Sequence, residues 1–154
     1  MKGNPKVIAV LNEALKSELT AINQYIVHAE MCDNWGFKKL AATTKKNSIG
    51  EMKHAEGLIE RILYLDGTPN MSDYFKILIG KDVPEQLRND LALEVDAVKR
   101  YNEGITVCVT AGDNGSRDLL VTLLKDEEGH IDYLEAQLHQ IKEMGLQNYL
   151  ATQA

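Results

Sequence analysis

Apolar residues recur along most of this chain at alternating steps of four and three, the spacing that lays one stripe along a helix. Leu11, Leu15, Ile22, Tyr25 and Ala29 follow it in a first segment, and Leu58, Ile62 and Leu65 in a second. Leu87, Leu91, Val98, Tyr101, Ile105 and Cys108 follow it in a third, and Leu123, Leu134, Leu138 and Ile141 in a fourth. Boundary signals frame each stripe. Asn4 can cap the first helix, with Pro5 at its first position, and the Asn34-Trp35-Gly36 turn ends it after Asp33. The second helix runs from about Phe37 to Asp66, where Gly67 and Pro69 stop it. The third opens on Asp82-Val83-Pro84-Glu85, which has capping-box spacing, and ends before Gly112. Ser116 can cap the fourth, which reaches about Met144. Gly145 then breaks the chain before a short fifth segment, Leu146 to about Thr152.

The connections select a topology. Short turns join the first and second helices, and the third and fourth, so each pair forms an antiparallel hairpin. The link from Gly67 to Lys81 is longer. A helix of about 30 residues is ~45 Å long, and about 15 extended residues span a similar distance. The middle link can therefore run the length of the bundle. The expected fold is all-α: a ferritin-like four-helix bundle with one long crossover and a short fifth C-terminal helix. Residues 1–154 form one domain on this reading, with the bundle at about 5–144 and the fifth helix at about 146–152.

Six positions on the apolar stripes carry the wrong chemistry for a core. Glu18 interrupts the first stripe, Glu51 and His54 the second, Glu94 the third, and Glu127 and His130 the fourth. A buried carboxylate without a partner costs several kcal/mol or takes up a proton. Two divalent cations remove that cost: they balance the four carboxylates and leave both imidazoles neutral. Spacing strengthens the reading. Glu18 to Glu51 and Glu94 to Glu127 are each 33 residues (51 − 18, 127 − 94), and each second glutamate opens an E-x-x-H that puts both side chains on one helix face. The two halves are offset by 76 residues (94 − 18, 127 − 51), and Tyr25 and Tyr101 obey the same offset. This is a tandem pair of hairpins about a pseudo-twofold axis. It matches the di-iron carboxylate pattern that defines ferritin-like bundles. Oxygen donors with imidazole suit iron or manganese, and the set contains no thiolate.

Composition narrows the partners. The net charge of −6 over 154 residues argues against a nucleic-acid partner, which calls for a basic patch. No apolar run approaches a signal peptide or a membrane span, so the default expectation is a cytoplasmic protein with no membrane partner. Cys32 and Cys108 form no C-x-x-C pair, and two reduced thiols are expected.

Around these ligands the sequence resembles the bacterioferritin family. The resemblance rests on Met1-Lys2-Gly3, Glu18-Leu19 with Ala21-Ile22-Asn23-Gln24-Tyr25, Glu51-Met52-Lys53-His54-Ala55, Ile59-Glu60-Arg61-Ile62-Leu63, Asp126-Glu127-Glu128-Gly129-His130-Ile131-Asp132 and Met144-Gly145-Leu146-Gln147-Asn148-Tyr149-Leu150. It runs nearly end to end. It implies a 24-subunit cage built from dimers, in which iron(II) is oxidised by O2 or H2O2 at an intrasubunit ferroxidase site and stored as a ferric mineral. It implies two iron ions per subunit, Glu18 and His54 on one, Glu94 and His130 on the other, with Glu51 and Glu127 bridging. It implies haem b shared between two subunits, with Met52 from each as axial ligand. On spacing alone Met52 is more readily a packing residue, which methionine usually is. A ferredoxin-type reductant for iron release, and co-assembly with a second ferritin subunit, also follow from the resemblance.

Two departures stand out. Many relatives carry histidine and aspartate at the positions of Lys46 and Gly50, where they bind a further iron on the inner surface; lysine and glycine cannot. Tyr25 is either a redox tyrosine, as the resemblance suggests, or a core aromatic. His28 and His139 lie off the ligand set and are expected to be solvated. Gly112-Asp113-Asn114-Gly115 is a turn, with too few acids for a calcium loop. Ile79-Gly80-Lys81 lacks phosphate-loop spacing. Two other functions compete with storage: a di-iron peroxidase or redox enzyme, and a haem-binding subunit that co-assembles with another ferritin chain. The short fifth helix has no use in an isolated redox bundle, and a complete ligand set argues against a passive subunit.

Overall fold

The structure, a computed structural model, describes residues 1–154. It contains five helices and no strand: α1 Pro5–Asn34, α2 Lys38–Tyr64, α3 Val83–Thr110, α4 Asn114–Met144 and α5 Leu146–Gln153. α1 packs on α2 and α3 on α4, and α1 lies against α3 to close a four-helix bundle. The expected fold class is the observed one.

Local chemistry sets the helix ends. Asn4 Oδ1 accepts from the Lys6 N–H at 2.8 Å, with Pro5 following as first helical residue. Asp82 Oδ1 accepts from the Glu85 N–H at 2.9 Å. Glu85 reaches back to the Lys81 N–H at 2.9 Å, one residue before the position a strict capping box would use. α4 starts at Asn114, two residues ahead of the expected cap. Asp113 is the cap instead, accepting from the Ser116 N–H at 2.9 Å and its hydroxyl at 2.7 Å. Arg61 holds the same carboxylate at 2.9 Å, which draws the cap toward α2. Gly112, at φ +70°, makes the left-handed turn that brings Asp113 there.

The apolar interior is divided. One cluster joins Val7, Leu11, Leu15, Leu58, Ile62, Cys108, Leu120 and Leu123. The other joins Cys32, Leu40, Val83, Leu87, Leu134 and Tyr149, the last being the residue by which α5 plugs the bundle end. Between them along the helices lies a layer holding buried Glu18, Glu51, Glu94 and Glu127. Removing water from the two flanking clusters supplies the drive that makes a charged layer tolerable.

The crossover between α2 and α3 has no regular secondary structure, so its backbone needs other partners. α1 supplies them at four-residue steps, one helix face apart from the core stripe. Asn12 accepts from the Asn70 N–H at 2.8 Å and Thr20 from the Phe75 N–H at 2.9 Å. Gln24 accepts from the Leu78 N–H at 3.1 Å, and His28 Nε2 from the Gly80 N–H at 3.0 Å. Lys16, on the same row, stacks its ammonium 4.2 Å from the Phe75 ring centroid, and Arg100 covers the ring at 3.7 Å. Gly80 must be glycine: a Cβ there would sit 2.3 Å from the Gln86 nitrogen.

His28 is therefore buried, contrary to the solvated position expected for it; His139 is exposed. Because Nε2 accepts from Gly80, the ring proton is on Nδ1 and points to Asp90 Oδ1 at 2.9 Å. Gln24 donates to the same oxygen at 2.8 Å. The core stripe reveals only the α1 face turned toward the bundle, and the crossover covers a second one. Replacing His28 by leucine leaves the Gly80 N–H without its acceptor and Asp90 short of a donor. The expected cost is about 3 kcal/mol, read as a lower urea midpoint; an unmoved midpoint would show that the crossover is held by other means.

Candidate metal centre

Each of the four long helices contributes to the buried layer. E-x-x-H places Glu51 above His54 on α2 and Glu127 above His130 on α4, since residues three apart share a helix face. Glu18 on α1 and Glu94 on α3 face them. The ligand atoms form two groups, each with its atoms within 4.8 Å of one another: Glu18, Glu51, His54 and Glu127, and Glu51, Glu94, Glu127 and His130. Glu51 and Glu127 belong to both. His54 Nδ1 lies 3.0 Å from Glu127, 3.3 Å from Glu51 and 3.5 Å from Glu18. His130 Nδ1 lies 2.9 Å from Glu51, 3.2 Å from Glu127 and 3.8 Å from Glu94. All six residues singled out in the sequence thus converge.

The carboxylates are not satisfied by these neighbours. Glu18 Oε2, both oxygens of Glu51 and Glu94 Oε2 are buried without an aligned hydrogen bond. The imidazole nitrogens come within ion-pair distance of them without directing an N–H along the line. Buried, orphaned carboxylate oxygens are rare unless something else satisfies them. A narrow gap, too small for a free water, lies among the four glutamates, walled by Ser17, Ala21, Leu93 and Ala97. Negative charge and unsatisfied oxygen lone pairs converging in one place fit a pair of divalent cations.

Without cations the charge is managed by protons. Burial and the adjacent Glu127 push the Glu94 carboxyl well above the usual carboxylate range. Burial alone would lower the two histidines. The hydrogen bond to Glu127 and the close negative charge of Glu51 overcome it, raising His54 to about 11 and His130 to about 12. Both therefore hold a second ring proton more tightly than a free imidazole does.

Two tyrosines complete the layer. Tyr25 donates its hydroxyl to Glu94 Oε1, and Tyr101 donates to Glu18 Oε1. Burial, then the surrounding carboxylates, hold both phenols well above 10, so both keep their protons. Each non-shared glutamate thus has one oxygen tied to the opposite hairpin and the other turned into the site. The 76-residue offset flagged this pair, and only the structure shows its purpose. Asp126 gave no signal, since a carboxylate beside Glu127 reads as an outer-face residue. It accepts from His54 Nε2 at 2.9 Å.

Met52 points away from this centre. It is 48% exposed on the outer flank of α2, with exposed Ile49 one turn before it, and its sulfur has no hydrogen-bond partner in the chain. Lys46 and Gly50 line an open groove with His54, Lys125, Asp126 and His130.

A four-helix bundle with a single long crossover and two E-x-x-H carboxylate groups in its interior has the ferritin-like architecture, with side chains that could hold two metal ions. Residues 8–144 match the ferritin family, described as a ferritin-like domain. The chain is 48% identical to a bacterioferritin of Mycobacterium bovis over 151 residues, covering 98% of this chain and 95% of the relative. It is 46% identical to one of Streptomyces coelicolor over 99% of this chain and 91% of the relative, and 45% identical to one of Rhodobacter capsulatus over 97% and 92%. The chain belongs to the bacterioferritin family, whose business is iron storage. No helix is long and apolar enough to cross a membrane.

Proposed function

We propose that this chain, taken as one ferritin-like domain, is the subunit of a 24-subunit iron-storage cage and a ferroxidase. It oxidises iron(II) with O2 or H2O2 and delivers iron(III) to a mineral inside. The observation that carries this reading is the set of buried, unsatisfied carboxylate oxygens shared between two four-residue groups. Glu18 and His54 would hold one iron, Glu94 and His130 the other, and Glu51 and Glu127 both. Bound iron supplies the redox chemistry; the chain supplies geometry and proton handling.

The residues divide that work. Tyr101 and Tyr25 fix Glu18 and Glu94 so that one oxygen of each faces inward. His54 and His130 give up their Nδ1 protons on loading and then act as neutral donors. The apolar clusters on either side keep bulk water out of the layer. A cytoplasmic location fits a store that draws on the cell's iron(II), and a ferredoxin-type reductant would serve release. Against a redox enzyme without storage, the buried Tyr149 gives α5 a docking role at the bundle end, where a cage needs a formed corner. Aerobic iron(II) added to the assembled protein, with mass and iron counted on one size-exclusion run, tests the reading. A mass near 24 subunits holding far more than two irons per subunit is expected; a small oligomer that stops at two would refute storage.

Met52, with its free thioether on an exposed flank, fits an axial ligand to haem b shared with a second subunit. Met52→Leu roughly conserves volume, so the cage should assemble and lose its haem absorption. An unchanged haem spectrum would contradict this assignment.

A further inference from the structure

The pseudo-twofold symmetry of the site is broken outside the ligands. His54 and His130 both turn Nδ1 inward, toward the carboxylates. On the far side of the His54 ring, Nε2 donates to Asp126 on α4 at 2.9 Å. His130 Nε2 makes no hydrogen bond within the chain, and its side chain is 20% exposed against 10% for His54. The internal offset of 76 residues identifies the missing partner. Asp126 corresponds to position 50 (126 − 76), which is glycine. Gly50 lies in the same groove as His130, and a Cβ built on it would meet nothing within 4 Å. The place for a second carboxylate exists and is vacant.

A carboxylate behind a metal-binding imidazole fixes its ring and tautomer and makes the inner nitrogen a better donor. We propose that Asp126 is a positioning residue for His54, that Gly50 leaves His130 without its counterpart, and that the Glu18–His54 side consequently takes metal first and holds it more tightly. This rests on the six-ligand reading above. The bland alternative is a solvent-screened surface contact, since Asp126 is 56% exposed and such pairs are worth little. The partner ring is nine-tenths buried, however, and its rotation is what the contact restricts.

Anaerobic cobalt(II) titration of the assembled protein, followed by visible absorption and calorimetry, separates the two. Wild type should bind two equivalents per subunit in unequal steps. Asp126→Ala should weaken the tighter step by roughly 10–100-fold and leave the other near its original value. Asp126→Asn, which keeps an oxygen acceptor for Nε2–H, should restore part of the loss. In a His54→Ala background, Asp126→Ala should do nothing further, whereas a mere attraction between aspartate and cation would persist. Gly50→Asp should tighten the weaker step. Equal steps in wild type, equal weakening of both steps by Asp126→Ala, or a third cobalt in Gly50→Asp with the first two steps unchanged would each overturn the proposal. Failure of wild type to bind two equivalents would instead strike the six-ligand reading.

Discussion

Glu127→Ala should abolish the fast phase of iron(II) oxidation, slowing it by more than about 100-fold, while the cage still assembles. The magnitude exceeds the ~10–100-fold typical of residues one step behind a metal ligand, because Glu127 belongs to both metal groups. Its loss removes one oxygen from each side and one of the negative charges that two cations neutralise. Folding should survive, because the helix stripes and both apolar clusters are untouched and Glu51 remains beside both histidines. Glu127→Gln sharpens the test by keeping volume and removing charge, and should resemble alanine in rate. Stopped-flow absorbance in the near ultraviolet, with size-exclusion mass as control, reads both variants. A fast phase retained in either would remove Glu127 from the ligand set.

Loading the site at pH 7 should release about two protons per subunit, because metal and proton compete for the same lone pairs. They come from His54 and His130, raised to about 11 and about 12. The metal-free protein holds these protons and the loaded one does not, so apparent metal affinity should climb steadily with pH through the neutral range. The effect on the metal-free fold has the opposite sign. Histidines whose folded values lie above the unfolded 6.5 contribute stability in full below about 6.5, and lose it as pH rises toward 11 to 12. A pH-stat titration with anaerobic iron(II) counts the protons. Release of none would mean that the histidines are already neutral before metal arrives.

Much of this was legible in the sequence. Glu18, Glu51, His54, Glu94, Glu127 and His130 interrupt apolar stripes whose phase is set by many residues, so their inward direction could be read without coordinates. The crossover was legible only as a length. Its attachment depends on Asn12, Thr20, Gln24 and His28, which occupy a second face of α1 and match no apolar pattern. His28 was misplaced for that reason: polarity suggests solvent unless a second layer is known to cover it. The start of α4 was missed because Ser116 and Asp113 are both good caps, and Arg61, 52 residues away from Asp113, decides between them. Tyr101 and Asp126 act through contacts between helices, which periodicity within one helix cannot register.

The central claim is that the chain folds around a place for two metal ions, and counting them tests it most directly. Anaerobic iron(II) should titrate to a sharp break at two per subunit in wild type. In Glu51→Ala, which removes one of the two carboxylates common to both groups, the break should disappear. A wild-type break at one or none, or a break at two that survives Glu51→Ala, would contradict the account.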